Sequence, residues 1–405
     1  MHQLRLDLHN ELHARPSIYF DGPACVFHAA FVASGEEATR ILLQLVGHDR
    51  SKPHGFITNG AVNYKWEKHG EFLTITCVVQ YCQGAGWSSA PELLKGITAE
   101  FSHLLISLTY VQVLTSDDTL LPGEQIGLTD PAGSAIGNHD ASLWSDFILD
   151  DDGLCRFILV NKSLNSYRLG RMTRRVLEIE TYRMMALLSL PLAQSIAKEL
   201  EKLELVLIDL TERTSRMTFE PSHLLVEDVA SLSTKITQLK AQSQKRFAAT
   251  IAYADLVSER IGELRESHTG ESQRIGVFIE RRFLPSVRYC MAIQSRLSLL
   301  ADSVSSLSDL VQARAQVEVE QQNAKILQSL NARASTQIKI QKAVEGLSVI
   351  ATAYYLISLL KLIYQGTTEL GVIFPTATAI LISIPITLAV IWHSRRSIKK
   401  LEANE

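Results

Sequence analysis

Cysteine is scarce in this chain, and the five that occur do not have the spacing of a metal site. Cys77 and Cys82 are separated by four residues, but no second pair completes a tetrahedral zinc set. An odd number of scattered cysteines predicts that the soluble part lies in a reducing compartment. A charge excess is also lacking, because 40 Lys and Arg face 43 Asp and Glu. We therefore expect no nucleic-acid partner.

Catalytic and nucleotide-binding signatures are missing as well. The sequence contains no P-loop, no G-x-S-x-G elbow, no G-x-G-x-x-G after a strand and no cysteine-nucleophile signature. We therefore expect no catalytic residues, no enzyme activity and no nucleotide-driven transport. The N-terminus has no apolar segment of the kind found in signal peptides, so a cleavable signal is not expected.

Long apolar runs are present at the other end of the chain. Residues 347–364 and 371–393 each reach the roughly 18–23 residues that cross a bilayer core, and residues 365–370 form a short polar connection. Basic residues precede the first run and follow the second, whereas the connection carries only Glu369. The positive-inside rule therefore predicts a membrane hairpin with both termini in the cytoplasm and a basic tail at 394–405.

The first 165 residues are predicted to form a mixed α/β domain. Apolar and β-branched segments indicate strands, and Ser34 to Glu37 match a capping box that would open an amphipathic helix through Leu45. The Gly-, Pro- and Asp-containing stretch 121–141 is typical of a loop. The predicted elements are strands at 24–33, 61–67 and 71–80, a helix at 91–103, a strand or a continuation of that helix from 103 to 114, and a hairpin over 146–160 turning at 151–153.

From residue 166 onward, helical periodicity replaces strand signals. We predict a helical region at 166–273 and a long stalk helix at 274–346, with Pro285 as its one kink. A coiled-coil seam with 3-4 spacing runs along the stalk, and it requires packing against preceding helices, sister subunits or both. Its members are Leu297, Leu300, Val304, Leu307 and Val311. The fold class is thus an α/β domain, a long-helix bundle or coiled coil, and a two-helix transmembrane hairpin.

This architecture resembles the CorA-type divalent-cation transporter superfamily. The first span of that family typically reads L-T-x-I-A-T-I-F and ends in I-Y-G-M-N. Residues 347–354 here read LSVIATAY, and Ile363 and Tyr364 then fall on the I-Y pair. The resemblance covers roughly residues 282–405. It implies a homo-oligomer, pentameric as in that family, in a bacterial inner membrane, with passive cation flow and a gate that closes when cations occupy sites between cytoplasmic domains.

A polar stripe on the first span is the candidate pore lining. A polar side chain turned to hydrocarbon loses its hydrogen bonds, so a stripe with 4-3 spacing must face protein or water. In a pore, Glu345 would attract cations, and Leu359 and Leu362 would form a constriction. Packing between helices is the alternative interpretation. The candidates are Gln341, Glu345, Ser348, Thr352, Tyr355, Leu359 and Leu362.

The outer connection departs from the transporter family, since Gln365, Gly366 and Thr367 replace G-M-N. The family's Mg²⁺ selectivity therefore does not carry over. Rings of uncharged oxygens could still hold a hydrated cation such as Mg²⁺, Zn²⁺, Co²⁺ or Ni²⁺, although an ordinary turn favours the same residues. The outer-mouth candidates are Tyr364, Gln365, Gly366, Thr367 and Glu369, with Thr368 beside them.

A second resemblance covers nearly the whole chain. The segments NELHARP (10–16), YKWEKHGEF (64–72) and LEIETYR (177–183) look like motifs of a bacterial family of predicted membrane-anchored proteins, a domain of unknown function. That family implies no activity. A membrane-tethered scaffold or sensor without transport activity therefore remains the alternative function.

Three further clusters have structural alternatives. His9, Glu11 and His13 alternate and could bind Zn²⁺ or Ni²⁺, which would permit a metal-dependent enzyme, but a hydrogen-bonded structural segment is the simpler interpretation. The acidic run at 150–152 lacks EF-hand spacing and predicts a hairpin turn. Arg174 and Glu178 are expected to form an i,i+4 ion pair.

Overall fold

The computed structural model of the chain describes residues 2–5, 9, 18–47, 52–81, 87–115, 127–215, 222–270, 272–369 and 375–402. The chain divides into two compact units, Met1–Asp309 and Leu310–Glu405. The first unit contains a mixed sheet and long helices, and the second contains the apolar helices. The predicted α/β domain followed by long helices is therefore confirmed.

The described strands form one nine-stranded sheet in the order β2-β3-β4-β1-β5-β8-β7-β6-β9. All neighbouring pairs are antiparallel except β5 and β8, which run parallel. The strands are β1 (Ala24–Phe31), β2 (His54–Asn59), β3 (Val62–Lys68), β4 (Leu73–Gln80), β5 (Leu105–Thr115), β6 (Ala132–Ile136), β7 (Ala141–Ser145), β8 (Cys155–Asn161) and β9 (Ser267–His268).

Seven helices accompany the sheet in the described ranges. The longest, α6, has 95 residues and would extend about 140 Å at 1.5 Å per residue. The helices are α1 (Gly35–Val46), α2 (Glu92–Glu100), α3 (Ser166–Leu187), α4 (Leu190–Ser215), α5 (Ser222–Leu264), α6 (Ile275–Glu369) and α7 (Thr376–Glu402). Pro285 lies inside α6 without ending it.

Both faces of the central sheet are covered. Alternate residues of a strand point to opposite faces, and every residue of β1 is buried. Phe27 and Phe31 pack in a cluster with α1 and α2. Val26 packs in the opposite cluster, which includes α3, α5 and the start of α6. The helices after residue 165 therefore share a core with the sheet.

The predicted stalk seam is used within the chain itself. Leu297, Leu300, Val304, Leu307 and Val311 are all buried. Arg296, beside the seam, forms an ion pair with Glu204 of α4 at 2.8 Å. This seam therefore offers no free surface for a sister subunit.

Three local predictions were wrong. Ser34 precedes α1 as predicted, but its side chain makes no capping hydrogen bond. The stretch predicted as a loop contains β6 and the turn to β7, in which Asn138 and His139 have positive φ. The predicted hairpin over 146–160 has only its second strand, β8, because the first side contributes a single bridge between Leu149 and Cys155.

The β6–β7 hairpin shows why small residues form a strand here. Gly133 lies opposite Trp144 in the register, and a Cβ built on Gly133 would lie 2.2 Å from the Trp144 ring. The glycine thus makes room for the aromatic ring across the strand pair. The same pairing recurs between Gly55 and Trp66.

We expect Gly133→Ala to destabilise the first unit by about 1–3 kcal/mol, because the added methyl displaces a packed ring. Gly96→Ala is the matched control: Gly96 lies in α2, and a methyl added there would meet nothing within 4 Å, so the change should stabilise by about 0.5–1 kcal/mol. Urea denaturation of the full chain in detergent, followed by tryptophan fluorescence, measures both. Equal effects of the two changes would contradict the packing argument.

Candidate functional site

The second unit contains the apolar helices. Two helices are long and apolar enough to cross a membrane, the C-terminal part of α6 and residues 376–393 of α7. None of the apolar window of α6 is buried in the chain. Membrane association is therefore indicated by length and composition.

The predicted pore candidates lie along one face of α6. Gln341, Ser348, Thr352, Tyr355, Leu359 and Leu362 are exposed, and Glu345 is partly exposed. The Thr352 hydroxyl donates a hydrogen bond to the Ser348 carbonyl at 2.8 Å. The lone pairs of that hydroxyl oxygen therefore remain available as acceptors.

The predicted outer loop is displaced along the chain. Residues 365–369 belong to α6, and α7 begins at Thr376, so the connection follows Glu369 rather than Tyr364. The Thr367 hydroxyl donates to the Tyr364 carbonyl at 2.8 Å, and the Thr368 hydroxyl donates to the Gln365 carbonyl at 2.7 Å. Because these hydroxyls donate hydrogen bonds to carbonyls of the preceding turn, their polar groups have partners within the helix. α6 therefore continues through this polar stretch.

The N-terminal metal prediction falls mostly outside the described residues, which include His9 but neither Glu11 nor His13. Across the ranges that the structure describes, no three His, Cys, Asp or Glu side chains cluster as a metal site would require. The acidic run at 150–152 forms a turn: Asp150 accepts hydrogen bonds from the Asp152 and Leu154 amides and pairs with Arg156. The predicted turn is therefore present, although a single bridge between Leu149 and Cys155 stands in place of the first strand of the predicted hairpin.

A small, partly open cavity of about 40 Å³ lies between the sheet and α3 and is lined by both apolar and polar side chains. The sheet contributes His28 from β1, Lys65 and Glu67 from β3, and Thr76 from β4, while α3 contributes Thr173. A space of this size holds one or a few water molecules. Polar groups at a sheet–helix interface need partners, because an unpaired one costs about 1–3 kcal/mol.

His28 connects the sheet to α3 through both ring nitrogens. Its Nδ1 is 2.7 Å from the Thr76 hydroxyl, and its Nε2 is 3.1 Å from the Thr181 hydroxyl. Burial lowers the pKa of His28 to about 3, and the nearby charges of Lys65 and His69 act in the same direction. His28 is therefore neutral at physiological pH and acts as a hydrogen-bonding bridge.

The buried Lys65 forms an ion pair with the partly buried Glu67 beside this bridge. Lys65 Nζ is 2.8 Å from Glu67 Oε2, and the Lys65 side chain is 4% exposed. Burial lowers the pKa of Lys65, whereas the Glu67 carboxylate opposes that shift. Glu67 Oε1 and Thr173 Oγ1 are buried without a hydrogen-bond partner in the described part of the chain. The cavity therefore suits water or a small polar solute that donates to Glu67.

Two of the sequence motifs meet at this cavity. Segment 64–72 supplies Lys65 and Glu67 to the lining, and segment 177–183 supplies Thr181 to the His28 bridge. Phe72 and Tyr182 pack edge to face at 6.3 Å between ring centroids. The segment at 10–16 lies outside the described residues. The expected Arg174–Glu178 pair is confirmed at 2.6 Å.

The sequence does not predict the cavity residues, because the pattern of β3 is that of a strand with one face exposed to solvent. Tyr64 and Trp66 alternate with Lys65 and Glu67, which is typical of one apolar and one solvated face. Here α3 covers the second face, so the charges are buried. The one signal in the sequence is that Lys65 and Glu67 carry opposite charges and lie two residues apart on the same strand.

We expect the His28 bridge to make stability depend on pH. The pKa of about 3 in the folded protein lies below the unfolded value of 6.5. The unfolded state therefore binds more protons between these values, so the stability is complete above pH 6.5 and is lost as pH falls toward 3. Between about pH 7.5 and pH 5 the loss of unfolding free energy amounts to about 2 kcal/mol.

His28→Gln should remove that part of the pH-dependent loss. His103→Gln, at an exposed position, should leave the loss unchanged. Urea denaturation at pH 7.5 and pH 5 measures the unfolding free energy of each variant. An unchanged pH dependence in His28→Gln would contradict the role of the His28 bridge.

Comparison with known proteins gives a family match. No curated protein matches the chain, and no solved structure matches it. One family model covers residues 1–401 and thus includes all three motifs. The resemblance to a family of unknown function is therefore confirmed. The bacterial origin and the CorA-like resemblance stay predictions. The chain belongs to the family described as "Protein of unknown function (DUF3422)".

Proposed function

We propose that the chain is a CorA-like homo-oligomer of the bacterial inner membrane, with both termini cytoplasmic, that lets divalent cations cross passively along an axis lined by α6. The observation that carries this proposal is a stripe on α6 that combines apolar and polar residues and is not buried within the chain. Starting at Ala313, positions continue at alternating 4- and 3-residue spacing through the pore candidates to Leu362. We call these positions the α6 stripe. Its upstream members are Ala313, Val317, Glu320, Ala324, Leu327, Asn331, Ala334 and Ile338.

The α6 stripe needs partners. Every residue from 321 to 344 is exposed, including Leu327 and Ile338. A helix without tertiary packing is only marginally stable in water, and a 3.5-residue repeat is the pattern by which identical helices associate. Sister copies meeting at the α6 stripe would cover its apolar members. A polar member such as Asn331 would then fix the register and the number of helices.

The membrane part of the α6 stripe has ligands that suit a hydrated cation. Glu345 would provide negative charge at the cytoplasmic approach, and Ser348 and Thr352 would present hydroxyl oxygens to the axis. Leu359 and Leu362 would narrow it before the outer end. Mg²⁺ sheds water reluctantly, so contacts through its water shell suit uncharged oxygens such as those of Gln365 and Thr367. Flow would follow the concentration gradient and the membrane potential, which contributes roughly 2.3 kcal/mol per charge per 100 mV.

Flux into liposomes tests this proposal. Purified full-length protein is reconstituted with a fluorescent divalent-ion reporter inside, and Mg²⁺, Co²⁺, Ni²⁺ or Zn²⁺ is added outside. We expect uptake that increases with an inside-negative potential, from particles that cross-linking shows to be oligomers. Absence of uptake of all four ions by intact oligomers would contradict the proposal.

The cavity between the sheet and α3 favours a second candidate, a membrane-tethered sensor. Its buried Lys65–Glu67 pair and the unpaired Glu67 Oε1 suit a small hydrogen-bonding solute. In that case the apolar helices would only anchor the protein. The liposome measurement separates the two functions, because a sensor forms intact particles without ion uptake.

A further inference from the structure

A second polar pocket of the first unit is lined by arginines. It has a volume of about 180 Å³ and lies where α3, the end of α5 and the β6–β7 turn come together. Its lining residues are Gly137, Arg168, Arg171, Met172, Arg175, Glu263 and Arg265. Four guanidinium groups thus surround one pocket, with a single carboxylate among the lining side chains.

Helix α3 concentrates three of these positive charges on one face. Arg168, Arg171 and Arg175 have i, i+3 and i+7 spacing, so neighbouring guanidinium groups lie one turn apart. Like charges at this spacing destabilise a helix, and Arg168 also lies in the first turn of α3, at the positive end of the helix dipole. An anion bound between these arginines would relieve both repulsions.

Only part of this charge is neutralised by neighbouring carboxylates. Arg168 pairs with Asp140 at 2.5 Å, and Arg175 pairs with Glu263 at 2.8 Å. Glu263 is also shared with Arg260, at 3.2 Å. No further carboxylate among the described residues pairs with the pocket arginines.

Arg171 and Arg265 are the two pocket arginines that do not pair with a described carboxylate. Both are exposed, and neither forms an ion pair within the ranges that the structure describes. Arg265 directly follows α5 and has φ 49°, a left-handed conformation that normally selects Gly or Asn after a helix.

We propose that this pocket binds a phosphate group. Guanidinium forks match phosphate oxygens with paired hydrogen bonds, and Arg171 and Arg265 would supply charge that no described carboxylate uses. At about 30 Å³ per water, the pocket volume corresponds to about six waters, which leaves room for a phosphate carrying a substituent. The phosphate would come either from a soluble ion or from a lipid headgroup. This proposal does not depend on cation conduction by α6.

Calorimetric titration of the full-length protein in a neutral detergent at low salt tests the site. One arm uses inorganic phosphate, and the other uses a short-chain phosphatidylglycerol below its micelle concentration. The double variant Arg171→Gln/Arg265→Asn removes the two unpaired charges, and Asn suits the left-handed position. Arg288→Gln is the matched control, because Arg288 is an exposed arginine of α6 that does not line the pocket.

We expect binding to the wild type that weakens with added salt, at least tenfold weaker binding to the double variant, and a change below twofold in the control. Binding of phosphate itself identifies a soluble ligand, whereas binding of the phosphatidylglycerol alone identifies a headgroup. The melting temperature without ligand shows whether each variant is folded. Absence of binding in both arms, or equal binding by a folded double variant, would overturn the proposal.

Discussion

Replacing Glu180 with alanine is expected to lower the free energy of unfolding of the first unit by about 3–5 kcal/mol. Glu180 lies on α3 with its side chain 3% exposed, and both of its oxygens accept hydrogen bonds from Arg183, at 2.6 and 2.9 Å. The alanine variant leaves the Arg183 guanidinium partly buried without its carboxylate. A buried charge without a partner costs far more than the pair contributes when intact.

Glu199→Ala is the matched control for this experiment. Glu199 and Lys202 form an i,i+3 ion pair on α4 with the same spacing as Glu180 and Arg183, but both side chains are well exposed. We expect a loss of at most about 0.5 kcal/mol, because water screens such a pair. Urea denaturation followed by tryptophan fluorescence measures both variants, since Trp66, Trp87 and Trp144 lie in the first unit. A small effect of Glu180→Ala, similar to the control, would contradict the role of burial.

Replacing Thr352 with leucine is expected to reduce divalent-ion uptake by liposomes by at least about tenfold if α6 lines the axis. The change removes a hydroxyl that presents lone pairs and adds apolar bulk at a position repeated in every subunit. Hydrophobic constrictions of this kind stop conduction by excluding water. The rate of reporter fluorescence change, normalised to oligomer content, measures the effect.

Ala353→Leu is the control for the conduction experiment. It adds the same kind of side chain one residue further along α6 and therefore about 100° around the helix, away from the α6 stripe. We expect uptake within about twofold of the wild type. Similar losses from both variants would indicate a general disturbance of the helix and would contradict an axial position for Thr352.

Periodicity predicts much of the architecture because the local pattern and the tertiary environment agree. The apolar run at 24–33 predicts a strand, and β1 lies at Ala24–Phe31, since such a run suits a strand buried on both faces. The stalk helix is predicted from residue 274, and α6 begins at Ile275. In these places the apolar pattern of the segment matches the surfaces that cover it in the folded chain.

Sequence-based prediction fails where long-range packing overrides local preference. β6 reads AGSAI, which has little strand propensity, and it forms a strand because Trp144 covers Gly133 from the neighbouring strand. The charges of β3 indicate a solvated face, and only the position of α3 makes them line a cavity. The arginine pocket likewise depends on the distant Arg265 lying beside α3.

The shared core of the sheet and the later helices determines how the protein can be divided for experiments. Val26 of β1 packs in the same cluster as Val176 of α3 and Val257 of α5. A recombinant fragment ending at residue 165 would therefore expose one entire apolar face of the sheet and would be prone to aggregate. A fragment that ends near residue 309 keeps that face covered and is therefore better suited to crystallisation than the fragment ending at residue 165.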